Sequence, residues 1–268
     1  MSRLLYGAHV AANAVRLHYL RYGGQGHPLV LIPGITSPAI TWGFVAEKLA
    51  QYFDVYVLDV RGRGLSSSGD HLQYDTETCV QDILDFIEQL GLQEYYLVGH
   101  SMGARFAIRC ASKQAKGLKK IVLIDPPVSG PQRRAYPSQL PWYVDSIEQS
   151  IQGMDAEAMK KFCPTWTLEQ RQLRAEWLHT CYLPAIVKAF NDFHEVDIHQ
   201  YIPDIAVPTL LMVAGKGGVI QAEDIQEIQA LNTNISISHV ENAGHMIPWD
   251  DEQGFYQAFE DFLGRHIV

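Results

Sequence analysis

Five short runs of almost unbroken apolar residues constrain this chain most: PLVLIP (28–33), DVYVLDV (54–60), YYLVG (95–99), KIVLID (120–125) and PTLLMVA (208–214). A strand with one wet face alternates apolar and polar residues. A run that is apolar at every position suits a strand covered on both faces, as in a parallel sheet between two layers of helices. VRLHYLRY (15–22) does alternate, and reads as a half-exposed strand. Helix-length segments separate the runs. Val80, Ile83, Leu84, Ile87 and Leu90 recur at helical spacing behind Asp75, a side chain suited to capping a helix start, and Gly91 supplies the stop. Phe255, Phe259 and Phe262 mark one face of a last helix. Strands alternating with helices predict an α/β fold with a mostly parallel sheet.

The rhythm breaks between Pro126 and about Ala206, where no buried strand is legible. The break opens with PPVSGPQRRAYPSQLPWYV, rich in Pro and aromatics, and continues with helical stretches around 144–162 and 168–193. A structureless loop of that length is improbable in a compact domain, so a helical insertion is expected there.

The 268 residues fit one large domain with such an insertion. Net charge is −9 and there is no basic run, so the chain has no patch with which to neutralise a nucleic acid or an acidic membrane. The N-terminal stretch lacks the pattern of a secretory signal, and no apolar run reaches the ~20 residues that span a bilayer. Cys79, Cys110, Cys163 and Cys181 are scattered without a CxxC pair. They read as reduced thiols of a cytoplasmic protein.

Residues 97–107, LVGHSMGARFA, place a serine between glycines at the junction of a strand and a small-residue helix. GHSMG fits G-x-S-x-G, and the strand–turn–helix context is what a nucleophile elbow needs. Small flanking residues let the turn close, and the helix start favours developing negative charge. Among eleven histidines, His245 follows the β-like run ISISHV, precedes the last helix and stands behind a glycine. His100 is adjacent to Ser101 and is expected to pack beneath the turn. His194 and His199 are five apart, which does not stack two metal ligands on one helix face, so no metal site is expected.

With these motifs the chain resembles the α/β-hydrolase superfamily over essentially its whole length. LIPGITS stands where that family has an oxyanion loop, with Pro33 in place of a common histidine. DVRGRGLSS (59–67) resembles its D-x-R-G-x-G-x-S loop, and ENAGHMIPW (241–249) its histidine loop. The resemblance implies an eight-stranded, mostly parallel sheet with helices on both faces. It implies a core of 1–125 and 207–268, and a helical cap, 126–206, inserted after the sixth strand. The common position for the acid, after the seventh strand, falls in MVAGKGGVI, which has no carboxylate. Glu223 and Asp224 read as the opening of a helix, and Asp59 lies too far across the sheet. Asp125 ends the strand beside that of Ser101, where some members of the superfamily carry the acid. The expected triad is therefore Ser101, His245 and Asp125, with backbone N–H groups of Ile35 and Met102 as oxyanion hole.

Position 101 is serine, which sets the chain apart from relatives with an aspartate nucleophile. Several stretches, including DPPVSGPQRRAYPSQLPWYVDSI, RAEWLHTCY and FHEVDIHQY from the expected cap, resemble the N-formylmaleamate deformylase family of nicotinate degradation. That resemblance implies an amide hydrolase that releases formate without metal or organic cofactor. It also implies a small carboxylated amide as partner, with no nucleic acid and no membrane. Arg133 and Arg134 are the expected holders of the substrate carboxylate, with Tyr136, Trp142 and Tyr143 as pocket walls, and Arg105 is an expected structural ion-pair partner. A carboxylesterase or enol-lactonase for small carboxylated substrates would share the same catalytic residues, and a ligand receptor on the same scaffold is the reading from another class.

Overall fold

A computed structural model of the chain describes residues 2–264. In chain order the elements are β1 (Leu4–Ala12), β2 (Val15–Tyr22), β3 (His27–Ile32), α1 (Gly43–Leu49), β4 (Phe53–Leu58), α2 (Thr76–Gln89), β5 (Tyr95–His100), α3 (Met102–Ser112) and β6 (Leu118–Ile124). Then come α4 (Leu140–Ile151), α5 (Ala156–Met159), α6 (Leu168–Trp177), α7 (Leu183–Glu195), β7 (Thr209–Ala214), α8 (Ala222–Leu231), β8 (Ile235–Val240), α9 (Ile247–Asp250) and α10 (Glu252–Leu263). The eight strands form one sheet in the order β1-β2-β4-β3-β5-β6-β7-β8. β2 pairs antiparallel with β1 and with β4, and every other pairing is parallel.

The unbroken apolar runs have the predicted cause. Leu29, Leu31, Val98, Val122, Ile124, Leu210 and Met212 point to one face, where α1 and α10 cover them with Val45, Leu49, Phe255 and Phe259. Val30, Ile32, Leu97, Ile121, Leu123, Leu211 and Val213 point to the other, against Val80, Ile83 and Phe86 of α2 and Ala104, Ala107 and Ile108 of α3. Asp75 caps α2 by accepting a hydrogen bond from the Thr78 amide at 3.0 Å. Gly91 takes a left-handed φ of +62° just past its end.

Between β6 and β7 the described residues contain helices and no strand. The two expected helical stretches are each split. Gly153, at φ +97°, ends α4 and Asp155 caps α5, while Pro184 sits in the first turn of α7 and separates it from α6. β1 is a strand that the apolar pattern did not announce. It is an edge strand, mostly exposed, so burial imposes no clear pattern on it. The ends of the expected core, residue 1 and residues 265–268, lie outside the described residues. Among the described residues no helix is long and apolar enough to cross a membrane. All four cysteines are buried and free.

Candidate active site

Ser101 stands at the turn between β5 and α3 with φ +53° and ψ −116°, a conformation side chains rarely adopt. The turn is closed by contacts that admit no side chain. A Cβ on Gly103 would lie 2.0 Å from the Ile32 carbonyl oxygen, and one on Gly99 would lie 2.3 Å from that of Gly103. The Ser101 amide donates to the Ile124 carbonyl at 2.9 Å, tying the elbow to the end of β6.

Asp125 follows directly, fully buried, at φ +45°. Its amide donates to the Met212 carbonyl at 3.0 Å, and its Oδ1 accepts from the Ala214 amide at 3.4 Å. The loop after β7, where an acid is commonly found, folds instead against this carboxylate: a Cβ on Gly217 would stand 3.5 Å from Asp125 Oδ2. His245 comes from the loop between β8 and α9. Its Nδ1 lies 2.7 Å from Asp125 Oδ2 and its Nε2 lies 3.0 Å from Ser101 Oγ. Residues separated by 24 and 144 positions in the chain thus meet in one hydrogen-bonded line (101 to 125, 101 to 245). With Nδ1–H donated to the carboxylate, Nε2 is the lone-pair nitrogen that faces the hydroxyl.

His100 lies beneath the turn. Its Nε2 donates to the His245 carbonyl at 3.0 Å, which fixes the histidine loop. Burial, and then the nearness of the His245 ring, push its pKa down to about 3, so it stays neutral.

The loop Gly34–Ser37 faces the same turn. Ile35 and Met102 are both buried, and neither backbone N–H has an acceptor among the described residues. Arg63, from the loop after β4, holds both residues: its guanidinium donates to the Ile35 carbonyl at 3.0 Å and to Met102 Sδ at 3.4 Å. Burial alone lowers its pKa, and among the described residues no carboxylate pairs with it. Asp59 belongs to a different part of the fold, accepting from the Ala39 and Leu65 amides and pairing with His18.

A pocket of about 300 Å³ opens over these groups. Tyr136, Trp142 and Tyr143 line it, as do Thr36, Trp166, Arg174 and Asp250. The Tyr136 hydroxyl lies 3.2 Å from His245 Nε2 and accepts from the Tyr143 hydroxyl at 3.4 Å. Burial, and then the neighbouring Tyr143, hold the Tyr136 phenol well above its ordinary pKa, so it is a donor throughout the usual pH range.

Two expected pocket residues are elsewhere. Arg133 makes a two-pronged bond to Glu227, 2.8 Å on each side, and reaches Asp197 at 3.1 Å. Arg134 pairs with Asp224 at 2.6 Å and donates to the Val219 carbonyl. Neither lines the pocket. An arginine pair in a polar loop is drawn to the nearest carboxylates, and α8 presents them. Arg105 also differs from expectation. It binds carbonyls rather than a carboxylate, donating to Pro127, Ser129, Asp192 and Val196, and so joins α3 to both ends of the helical segment. The cation that does line the pocket, Arg174, was missed. Its only sequence signal is an arginine in step with Arg171, Ala175 and Leu178 on one face of α6.

Comparisons with known proteins agree with this geometry. The family model for the alpha/beta hydrolase fold matches residues 27–252. The N-formylmaleamate deformylase of Pseudomonas putida is 65% identical over 268 residues, covering 100% of both chains. A crystal structure of the N-formylmaleamic acid deformylase of Pseudomonas putida S16 superposes with a TM-score of 0.92 at 50% identity, covering 95% of this chain and 100% of that one. An E-2-(acetamidomethylene)succinate hydrolase shares the fold, with a TM-score of 0.79 at 19% identity, over 97% of this chain and 99% of the other.

Proposed function

This chain belongs to the alpha/beta hydrolase fold family, and on that premise we propose that it hydrolyses the N-formyl amide of N-formylmaleamate to maleamate and formate. The observation that carries the reading is the 65% identity to a deformylase along the whole chain, helical segment included. That segment supplies Tyr136, Trp142, Tyr143, Trp166 and Arg174 to the pocket, so the aligned span includes the part of the chain that would meet a substrate. In this reading residues 126–206 form a cap over the core.

Ser101 Oγ attacks the formyl carbon while its proton passes to His245 Nε2, 3.0 Å away. Asp125 keeps Nδ1 protonated and steadies the imidazolium that forms. The N–H groups of Ile35 and Met102 receive the charge developing on the formyl oxygen, each contributing roughly 10²–10³ in rate. Collapse of the tetrahedral intermediate breaks the C–N bond as His245 returns the proton to nitrogen. Maleamate departs and a formyl ester remains on Ser101. The leaving nitrogen is bonded to a second carbonyl, so it leaves more readily than a simple amine. Tyr136, 3.2 Å from the same Nε2, stands ready to donate to that departing group. Water then gives a proton to His245 and adds to the ester; collapse of this second intermediate breaks the Oγ–C bond as His245 returns the proton to Ser101 Oγ, and formate is released. No step needs a metal, and among the described residues no cluster of three His, Cys, Asp or Glu is placed to hold one. Four buried thiols suit the reducing cytoplasm, where we place the reaction.

Turnover of N-formylmaleamate, an enol-lactone and a p-nitrophenyl ester under identical conditions tests the reading. N-formylmaleamate should give the highest kcat/KM. A higher value for the lactone or the ester would move the substrate class, and a single turnover followed by arrest would indicate a receptor.

A further inference from the structure

N-formylmaleamate carries a carboxylate, and the arginines expected to hold it are engaged with α8. We propose that Arg174 is the carboxylate-binding residue, and that it makes the pocket specific for anionic acyl amides. The proposal rests on the substrate reading above and deepens it.

Among the described residues Arg174 is the only lysine or arginine lining the pocket that holds Ser101 and His245. It is 4% exposed, and no carboxylate among the described residues lies within ion-pair distance. A buried cation without a counter-charge is costly to a fold, and an anion that enters beside it relieves that cost. The guanidinium has five N–H donors. It spends one on the Thr36 carbonyl and one on Thr36 Oγ1, both at 3.0 Å, while Nε is buried with no acceptor. The rings of Trp142 and Trp166 flank its carbon at 5.8 and 5.7 Å, which holds the plane of the fork in place. What remains is a rigid, partly used fork of the shape that binds a carboxylate with two parallel bonds.

Its position suits the substrate. Thr36 follows Ile35, so an anion on Arg174 sits beside the loop that receives the formyl oxygen. The cis double bond of the substrate folds its two ends toward one side, which fits both into one pocket of about 300 Å³. Asp250 also borders the pocket, but it lies beyond ion-pair distance of Arg174, and its carboxylate accepts from the Gly244 amide at 3.0 Å and the Thr165 hydroxyl at 3.5 Å.

The test compares kcat/KM for N-formylmaleamate and for its uncharged methyl ester in wild type, Arg174→Met and Arg174→Lys. The ratio of charged to uncharged substrate should fall roughly 100-fold in Arg174→Met, mostly through KM, and roughly tenfold in Arg174→Lys, which keeps the charge without the fork. A purely structural hold on Thr36 would slow both substrates alike and leave the ratio unmoved, which overturns the proposal. If Arg174→Met does not fold, the ratio in Arg174→Lys decides alone. Wild type that turns over neither compound would sink the substrate reading, and this assignment with it. Wild type that processes N-formylmaleamate, with an unmoved ratio in the variants, would sink this assignment only.

Discussion

At the scale of single residues, Asp125 and Ser101 both occupy left-handed backbone conformations, at φ +45° and +53°. Each costs on the order of 1–3 kcal/mol, and the surrounding sheet ends hold them there. Replacing Asp125 by Asn keeps the shape but reverses the hydrogen bond that sets the imidazole tautomer. It should lower kcat by about 10⁴ with the fold intact, whereas Asp224→Asn should retain near-normal kcat. Steady-state rates of the two variants check this, and the opposite pattern would assign the acid to Asp224. His100 offers a pH test. Its folded pKa of about 3 lies below the ordinary 6.5, so the unfolded chain binds more protons between those values. Its contribution to stability is whole above 6.5 and is lost as pH falls toward 3. The melting temperature of wild type should therefore drop more steeply between about pH 6 and 4 than that of His100→Gln, and parallel curves would contradict the burial argument. The serine and histidine were legible because local signals mark them: glycines on either side of one, a strand and a helix bracketing the other. Asp125 was legible because the competing loop lacks a carboxylate. Arg174 was not, since its place in the pocket lining comes from burial against Trp142 and Trp166, which the sequence puts far from Ser101.

At the scale of elements, the elbow depends on β3, β5 and α3 approaching until only hydrogen fits. Gly103→Ala would drive a methyl group to 2.0 Å from the Ile32 carbonyl. The backbone cannot yield there without moving the Gly34–Ser37 loop, so the substitution should cost about 3 kcal/mol or more. Urea denaturation measures it, and a midpoint near that of wild type would show a looser turn than described. The central strands were readable because both faces are covered, so each residue must be apolar. β1 was not, because an exposed edge accepts polar and apolar residues alike. Its link to β2 also hides: Asn13 and Ala14 both take positive φ, at +44° and +61°, and the alanine gives no turn signal.

At the scale of the whole molecule, arginines join the helical segment to the core. Arg105 holds both of its ends through four carbonyls, and Arg133 and Arg134 pin its first loop to α8. Arg133→Met should leave KM unchanged and lower stability by about 1 kcal/mol or less, because this pair is partly exposed and water screens it. A several-fold rise in KM would return Arg133 to the pocket. The −9 net charge is consistent with an anionic substrate only because the pocket carries its own cation, shielded from the acidic surface.

Formate release from N-formylmaleamate by wild type and by Ser101→Ala, followed over many turnovers, probes the catalytic claim head-on. Wild type should release formate repeatedly and Ser101→Ala at no more than about 10⁻⁴ of that rate. Comparable release by the alanine variant would mean that the hydroxyl at the elbow is not the nucleophile.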